Sequence, residues 1–174
     1  MVRQSLLRII AMILEFHSAS LQDLPEIVRM LADDFLGQQR ERLEDPLPES
    51  YLRAFREIEA DPNNELVVAV VSDADASVAG TDVGGTVIGT MQLTFTPSIS
   101  FQGGRRCTVE SVRVDEKYRG CGIGREMMLW AIERAKERGC ISMQLTTNKD
   151  RTDAHRFYAN LGFSASHLGM KLKL

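Results

Sequence analysis

The sequence predicts a mixed α+β fold in which a mostly antiparallel sheet also contains one parallel pair of strands. The first observation is a meander: three strand-like runs follow one another between residues 65 and 114, separated only by loops. The second is the succession of a strand, a glycine turn, a helix and a strand over residues 107–147. Strands joined in this way are usually parallel neighbours connected by a right-handed crossover.

One strand and two helices are predicted ahead of the meander. Residues 12–20 alternate apolar and polar side chains and then reach small hydroxyl residues, which is typical of a strand that ends at a helix cap. Apolar residues at helical spacing follow until Gly37, and a second helix is predicted over residues 49–60. We assign residues 12–174 to a single domain and residues 1–11 to an N-terminal extension, with a first helical turn as the alternative.

Helices and strands alternate after the meander. The small, acidic residues 72–85 are predicted to form a mobile loop within the meander. After the glycine turn, an apolar stripe at helical spacing ends at Gly139, the residue type preferred just beyond a helix. A short helix is predicted over residues 153–163, and the alternating residues 165–174 are predicted to form a closing strand.

Composition excludes several classes of function. The net charge is −3 and the sequence pI is about 5.7, so we expect no nucleic acid partner. An arginine interrupts the apolar N-terminal run before it reaches the roughly 20 residues of a membrane span, so we expect no membrane partner. The three cysteines are widely spaced, which favours neither a disulfide framework nor a metal site and predicts a reduced, cytoplasmic protein.

The stretch VRVDEKYRGCGIGREMM, residues 112–128, places glycines at positions 120, 122 and 124 between a strand and a helix. Such a turn offers an anion several unpaired backbone N–H groups and the positive end of a helix dipole. The dinucleotide fingerprint G-x-G-x-x-G fails because Arg125 and Met127 stand where glycine or alanine is needed. The P-loop fails because no glycine precedes a lysine and a hydroxyl residue. A different phosphate loop, or a tight turn without a ligand, remains.

The remaining pattern, RGCGIG at residues 119–124, fits R/Q-x-x-G-x-G/A and resembles the acetyl-CoA pyrophosphate loop of the GNAT superfamily of N-acetyltransferases. LTTNKDRTDAHRFYANLGF, further along the chain, is similar to that family's second signature. The resemblance implies the GNAT fold: a central, mostly antiparallel twisted sheet flanked by helices, with its parallel pair at the acetyl-CoA cleft. It also implies acetyl-CoA as cosubstrate and no required metal.

Two residues are candidates for proton transfer. Strict alternation over residues 108–114 places Glu110 on one face together with Val112 and Val114. The resemblance implies that Glu110 receives the proton of the amine, commonly through water; a solvent-facing carboxylate, or one paired with a nearby arginine, is the alternative. It also implies that Tyr158 protonates the departing thiolate, and an aromatic side chain at the edge of the core is the alternative.

The resemblance further implies a set of residues that bind acetyl-CoA. A strand backbone would hold the pantetheine arm, the glycine turn would present N–H groups to the pyrophosphate, and an arginine would add charge at its entrance. A side-chain amide after the last central strand would pair with the pantetheine amides. The predicted set is Val112, Val114, Arg119, Gly120, Gly122, Ile123, Gly124, Arg125 and Asn148.

The predicted function is transfer of an acetyl group from acetyl-CoA to a primary amine of a small molecule or peptide by direct attack. A non-catalytic acyl-CoA-binding or regulatory protein is the alternative. Acidic residues expected near the cleft indicate a cationic amine; they are Asp33, Asp34, Glu41, Glu44 and Asp45. Basic residues indicate the opposite charge; they are Arg40, Arg42, Arg105 and Arg106.

Two further expectations concern the acceptor and the assembly. TTNKDRTDAHRFY is similar to the tail of aminoalkylphosphonate N-acetyltransferases, which leaves a substrate with an anionic group open. The family often forms homodimers, and the terminal MKLKL alternates as an edge strand would. A homodimer is therefore predicted.

Overall fold

A computed structural model describes residues 12–33, 37–73 and 85–173 of the chain, which contain one five-stranded sheet in the order β1-β2-β3-β4-β5. The strands are β1 Met12–Ser18, β2 Asn64–Asp73, β3 Thr86–Pro97, β4 Arg105–Val114 and β5 Cys140–Leu145. All neighbouring strands are antiparallel except β4 and β5, which are parallel. The predicted α+β class, the meander and the parallel pair are confirmed.

Helices lie between the strands as the apolar periodicity predicts. They are α1 Leu24–Ala32, α2 Glu49–Ala60, α3 Ile123–Glu137 and α4 Thr152–Asn160. Ahead of α1, Oδ2 of Asp23 accepts hydrogen bonds from the backbone N–H and the hydroxyl of Ser20 at 2.7 and 2.8 Å. This is the polar cap that the hydroxyl residues after β1 predicted.

The helices cover both faces of the sheet. Successive residues of β2 point to opposite faces, so that Val67 and Val68 are both buried, but in different clusters. On the first face, α1 and α2 bury apolar side chains that include Leu24, Ile27 and Phe55. On the second face, a larger cluster joins α3 to the central strands through Met91, Leu93, Phe95, Met127, Met128 and Ala131. The face covered by α1 and α2 is called the α1–α2 face below.

The C-terminal end of α3 is held by charged contacts. Arg134 and Arg138 both donate to Oε1 of Glu65 in β2, at 2.8 and 2.9 Å. The guanidinium of Arg138 also lies 4.4 Å from the centroid of the Phe95 ring, in cation–π geometry. The end of the helix that points away from the glycine turn is thus fixed to β2 and β3.

One predicted element is absent from the described part of the chain. Residues 164–173 form no strand, although their alternation of apolar and polar side chains predicted one. Alternation shows only that a segment could be half buried, and a strand forms only when a partner supplies its hydrogen bonds. The predicted N-terminal extension and Asp34 lie outside the described residues, as do residues 74–84 of the predicted mobile loop.

Candidate active site

The pairing of β4 with β5 ends part of the way along β4. Paired residues run from Arg105 opposite Cys140 to Val109 opposite Leu145, where β5 ends. Glu110 is the first residue of β4 beyond this pairing, and the rest of the strand up to Val114 continues without β5 beside it. The β5-facing edge of β4 is therefore free of a partner strand from the candidate catalytic residue onward, within the described residues.

A β-bulge follows directly. Gln92 of β3 pairs with Glu110 and Thr90 pairs with Arg113, so two residues of β4 stand opposite Met91 alone. Ser111 adopts a left-handed backbone conformation, with φ 55°.

The bulge corrects the predicted faces of β4. Val109, before the bulge, belongs to the core cluster on the α3 side, and Val112 and Val114, after it, pack against the same cluster. Strict alternation had placed Val112 and Val114 on the face of Glu110, which is wrong. The extra residue reverses which positions face the core.

Glu110 is exposed and makes no ion pair within the described residues. It pairs in register with Gln92, which lines a cavity of about 130 Å³ beneath α1 and α2. Thr90 and Ser111 line the same cavity. The carboxylate thus lies at the edge of the α1–α2 face, and the predicted alternative of a pair with a nearby arginine is not observed.

The glycine turn has the geometry of an anion site. Gly120 and Gly122 have φ values of 77° and 87°, and a Cβ added to either would meet no atom within 4 Å. Glycine is therefore required there by backbone conformation and not by crowding. The N–H groups of Gly120, Gly122, Ile123 and Gly124 donate to no acceptor in the described structure; the last three stand at the N-cap and first turn of α3, and Gly120 lies just before them.

The two arginines of the predicted loop have different surroundings. The backbone N–H of Arg125 already donates to the Gly122 carbonyl at 2.9 Å, and its guanidinium pairs with Glu126 at 3.2 Å. Arg119 donates from Nη2 to Oδ2 of Asp33 at 2.5 Å and from Nε to the Val114 carbonyl at 3.1 Å. Arg119 thus joins the glycine turn to the end of α1 and to the end of β4.

The end of β4 is also tied to α1 by a second charged contact. The guanidinium of Arg29 donates to the carboxylate of Asp115, which is buried and follows β4 directly. Asp115 also accepts a hydrogen bond from the backbone N–H of Lys117 at 2.9 Å. The carboxylate of Glu26, with a further contribution from Asp115, raises the pKa of Arg29. The chain that leads into the glycine turn is therefore fixed before the turn begins.

Tyr158 lies on α4 and packs against the same core cluster as Val112 and Val114. Its ring packs edge-on against Phe157 and Phe163, with centroids 5.0 and 5.8 Å away. The hydroxyl makes no hydrogen bond within the described residues. Burial raises the pKa of Tyr158, and the positive charges of Arg113 and Arg151 act against that rise. A protonated phenol is therefore held in a largely apolar pocket with two cations near it.

Contacts of α4 also reach the glycine turn. A Cβ built on Gly124 would lie 3.6 Å from Cζ of Phe157 and 3.7 Å from Cγ2 of Val114, which is ordinary packing. The helix that carries Tyr158 is thus adjacent to the turn that would hold the pyrophosphate. The strand end, the turn and the tyrosine helix form one contiguous region.

Asn148 lies in the turn between β5 and α4. Its Oδ1 accepts the backbone N–H of Asp150 at 2.9 Å, and its carbonyl accepts that of Arg151 at 3.0 Å. His155 lies 3.0 Å from the same carbonyl through Nε2, which gives this exposed side chain a structural role. The side-chain N–H₂ of Asn148 remains the group that could meet a pantetheine amide.

Sequence reasoning missed three residues of this region: Ser111, Arg113 and Arg151. Ser111 gave no signal because a positive φ is usually marked by glycine or asparagine. Arg113 belongs to no motif in the sequence, yet its Nη1 donates to the Val112 carbonyl at 2.9 Å. Arg113 and Arg151 come together at Tyr158 only through tertiary structure.

Four of the acids and bases used to judge acceptor charge have other partners, among them Asp33, which pairs with Arg119. Glu41 accepts from the Tyr51 hydroxyl at 3.0 Å, and Glu44 pairs with Arg42 at 2.8 Å. Arg105 and Arg106 stand at the start of β4, about 13 to 17 Å along the strand from Glu110. The acceptor's charge therefore does not follow from these residues.

Two general features of the described residues bear on the kind of chemistry. They contain no group of three or more histidine, cysteine or acidic side chains placed to hold a metal ion. They also contain no helix that is long and apolar enough to cross a membrane.

Comparison with known proteins finds two curated relatives, each named as an N-acetyltransferase. An aminoalkylphosphonate N-acetyltransferase of Salmonella typhimurium is 45% identical over 49 residues, which are 28% of this chain and 32% of that protein. A glucosamine 6-phosphate N-acetyltransferase of Trypanosoma brucei brucei is 32% identical over 91 residues, 52% of this chain and 59% of that protein. The chain thus matches less than two thirds of either curated relative.

A solved structure matches over nearly the whole chain. It is a protein from Bacillus halodurans described as a transcriptional regulator, 50% identical, with a TM-score of 0.83 over 93% of this chain and 100% of that one. The model of the acetyltransferase (GNAT) family matches residues 25–163, which include β4, the glycine turn and α4. The chain therefore belongs to the GNAT family of acetyltransferases.

Proposed function

We propose that the chain is an acetyl-CoA-dependent N-acetyltransferase that acts by direct attack on a primary amine of a small molecule or peptide. The observation that carries the proposal is the glycine turn, whose four unbonded N–H groups lie in the turn and at the start of α3, after the part of β4 that has no pairing with β5. Backbone donors at a helix N-terminus are suited to a pyrophosphate. The β5-facing edge of this part of β4 is suited to an extended pantetheine arm, which can add to a strand as a peptide does.

Two carbonyls of β4 limit how the arm would be held. Those of Val112 and Val114 accept hydrogen bonds from Arg113 and Arg119. A carbonyl has two lone pairs, so each can still accept an amide N–H of the arm. The residues present thus fit acetyl-CoA, with Arg119 and Arg113 bracing the strand that receives it.

Glu110 is the proposed general base. It receives one proton of the ammonium group, directly or through a water, so that a neutral amine nitrogen can attack the thioester carbonyl carbon. The carbon–nitrogen bond forms as the carbonyl oxygen takes up negative charge, and collapse of this intermediate breaks the carbon–sulfur bond. The proton taken by Glu110 passes to solvent.

Tyr158 is the proposed general acid. Its hydroxyl donates a proton to the leaving thiolate sulfur, and the second proton lost by the nitrogen restores the phenol through solvent. The raised pKa keeps the phenol protonated at neutral pH, and its freedom from other hydrogen bonds leaves the hydroxyl available. Arg113 and Arg151 would stabilise the transient phenolate.

For the acceptor, we propose an amine that also carries a phosphonate or phosphate group. Two observations favour this class over an amine without an anionic group: the names of the two curated relatives, and the two arginines near Tyr158. Guanidinium groups bind such anions with paired hydrogen bonds.

The test is free-thiol release from acetyl-CoA with matched amines. We expect turnover with an aminoalkylphosphonate or glucosamine 6-phosphate, and much less with glucosamine or a simple alkylamine, which carry no anionic group. Equal turnover with these two amines would refute the acceptor class but not the acetyltransferase. No thiol release with any amine, together with tight acetyl-CoA binding, would refute the enzyme itself.

A second candidate is a non-catalytic, acyl-CoA-binding regulatory protein. The observation that favours it is the description of the 50% identical relative as a transcriptional regulator. Sustained thiol release excludes a pure sensor, whereas binding without turnover favours it.

The cellular setting and assembly are part of the same proposal. Cys107, Cys121 and Cys140 are all free, which suits a reducing compartment such as the cytoplasm. A homodimer is proposed as well.

A further inference from the structure

The α1–α2 face carries a row of uncharged polar side chains. In β3, β4 and β5, Leu93, Val109 and Leu145 pack on the α3 side, so the residues just before them point to the α1–α2 face. On β2, Asn64 is in phase with Leu66 and Val68, which α1 and α2 cover. The pairing places four of these polar residues directly opposite one another, one on each strand from β2 to β5. They are Asn64, Thr94, Thr108 and Gln144, called the polar row below.

Hydrogen bonds within the polar row fix its side chains. Oδ1 of Asn64 accepts from the Thr94 hydroxyl at 2.8 Å, and Nδ2 of Asn64 donates to Oδ2 of Asp61 at 2.6 Å. At the other end of the row, Nε2 of Gln144 donates to the Thr108 hydroxyl at 3.1 Å. Asn64, Thr94 and Thr108 are half-buried, and Gln144 is exposed. The row is therefore an ordered surface that a ligand can still reach.

The polar atoms left over at the row are those that a hydroxyl group satisfies. Within the described residues, Oε1 of Gln144 accepts no hydrogen bond and the Thr108 hydroxyl donates none. Gln92, beside the row on β3, likewise keeps Oε1 without a donor there, while its Nε2 lies 3.3 Å from Oδ1 of Asn64. A ligand hydroxyl can both donate to the amide oxygens and accept from Thr108. An anionic group only accepts hydrogen bonds, so it cannot satisfy the two amide oxygens.

The polar row lies beside the proposed base. Glu110 is two residues beyond Thr108, roughly 7 Å along β4, and it pairs in register with Gln92. The row itself crosses four strands, a width of roughly 14 Å. A ligand whose amine lies at Glu110 would therefore have its carbon skeleton within reach of the row.

We propose that the polar row binds hydroxyl groups on the carbon skeleton of the acceptor. The acceptor is then a hydroxylated amine of the amino-sugar type and, within the proposed phosphonate or phosphate class, an amino-sugar phosphate. An aminoalkylphosphonate without hydroxyl groups would leave the amide oxygens of the row to water. This inference rests on the proposed acetyl transfer, which places the amine at Glu110.

The first test compares two acceptors that share a primary amine and a phosphate: glucosamine 6-phosphate, which carries ring hydroxyl groups, and 6-aminohexyl phosphate, which carries none. Free-thiol release from acetyl-CoA should give a kcat/KM about tenfold or more higher for glucosamine 6-phosphate, since each neutral hydrogen bond contributes about twofold to tenfold. The double variant Thr108→Val, Gln144→Met should lower this ratio by about tenfold. The matched control is Thr96→Val, an exposed position on the same face one row further from Glu110, which should keep the wild-type ratio. Equal kcat/KM for the two acceptors in the wild type, or an unchanged ratio in the double variant, overturns the proposal.

The second test separates this inference from the proposed reaction. Calorimetry in excess CoA, where no acetyl group can be transferred, should show tighter binding of glucosamine 6-phosphate than of 6-aminohexyl phosphate to the wild type. The double variant should lose most of this difference. If the difference appears in a protein that releases no thiol with any amine, the polar row stands and the acetyl transfer alone fails. If the wild type shows no difference in affinity, the polar row is overturned whether or not thiol is released.

Discussion

Arg119 and Asp33 form an ion pair that joins the glycine turn to the end of α1, with Nη2 and Oδ2 2.5 Å apart. The two residues are 86 positions apart in the sequence. Because the same guanidinium binds the Val114 carbonyl, one side chain sets the position of the turn relative to both α1 and β4. The position of α1 and the position of the proposed pyrophosphate loop therefore depend on each other.

Asp33→Asn should weaken acetyl-CoA binding modestly. The side chains are 49% and 22% exposed, so the pair is worth about 0.2 to 1 kcal/mol, or up to about a fivefold rise in Kd. Calorimetry at low and high salt measures the Kd for acetyl-CoA, and the difference between variant and wild type should shrink as the salt concentration rises. Glu133→Gln is the control, because it breaks an exposed pair with Lys136 on α3 away from the turn. An equal loss in both variants would show that the pair does not position the loop.

Gly122→Ala should reduce acetyl-CoA affinity by about tenfold to a hundredfold, the range for loss of one or two charge-assisted N–H contacts. Alanine at a left-handed φ also costs about 1 to 2 kcal/mol of folding stability. The motif in the sequence indicated only a loss of ligand affinity. The structure adds a loss of folding stability, because the backbone conformation at this position requires glycine.

Gly139→Ala is the matched control for that experiment. Gly139 has φ 70°, has no atom within 4 Å of an added Cβ, and follows the other end of α3. The melting temperature should fall by a similar amount in both variants, while acetyl-CoA affinity falls only in Gly122→Ala. If both variants bind acetyl-CoA like the wild type, the turn holds no pyrophosphate.

Glu110→Gln should preserve acetyl-CoA affinity and lower turnover by about 10² to 10⁴. The loss should be greatest at low pH, where most of the amine is protonated and must give up its proton at the site. The exposed side chain makes no ion pair in the described structure, so melting temperature should not change. Initial rates across pH measure the effect. A pH profile that overlays the wild type would mean that another group, or solvent, accepts the proton.

Tyr158→Phe should lower the maximal rate by about two orders of magnitude or more while leaving stability at neutral pH unchanged. The hydroxyl makes no hydrogen bond within the described residues, so its removal leaves no partner unsatisfied. Stopped single-turnover assays separate the chemical step from binding. A stability loss of about 1 kcal/mol without a rate change would instead assign Tyr158 to the core.

The pKa of Tyr158 gives this prediction a pH signature. Burial raises it above 10, so the neutral phenol is favoured in the folded state. The stability that the neutral phenol contributes is fully present below the pKa of an unfolded tyrosine, about 10. It is lost as pH rises through the higher pKa of Tyr158 in the folded protein. Turnover of the wild type should therefore remain level to above pH 10, and Tyr158→Phe should be more stable than wild type in stronger alkali. Identical alkaline unfolding of both proteins would contradict the buried phenol.

Acetyl-CoA should protect Cys121 from alkylation. Cys121 lies between Gly120 and Gly122 and is half-buried, whereas burial raises the pKa of Cys107 to about 12. At pH 8 only about one Cys107 thiol in ten thousand is ionised, so a small reagent should label Cys121 first. Peptide mass spectrometry measures the rates, and Cys140, at the far end of α3, is the internal control. Equal labelling of Cys121 with and without saturating acetyl-CoA would place the ligand elsewhere.

Local patterns were sufficient to predict much of the fold. Apolar spacing located α2 at its observed limits, and the order of elements predicted the antiparallel meander and the parallel pair. Glycine spacing indicated a turn with free N–H groups, because glycine readily adopts the left-handed φ that Gly120 and Gly122 have.

Other features depend on partners that local patterns do not contain. The contacts of Arg29 with Asp115 and of Arg119 with Asp33 each join residues 86 positions apart. The closing strand was predicted from alternation in the tail, but a strand also needs an edge to bind, and the single chain leaves that pairing unmade. The bulge was missed because Ser111 gives no local signal for a positive φ.

The bulge at Ser111 sets which face each later residue of β4 presents. If the bulge were flattened while β4 kept all its residues, strict alternation would turn Val112 and Val114 away from the core they now pack against. The strand would also gain one paired position, which would move the start of the glycine turn by about 3.3 Å relative to Glu110. The extra residue at the bulge therefore sets the separation between the proposed base and the proposed anion site.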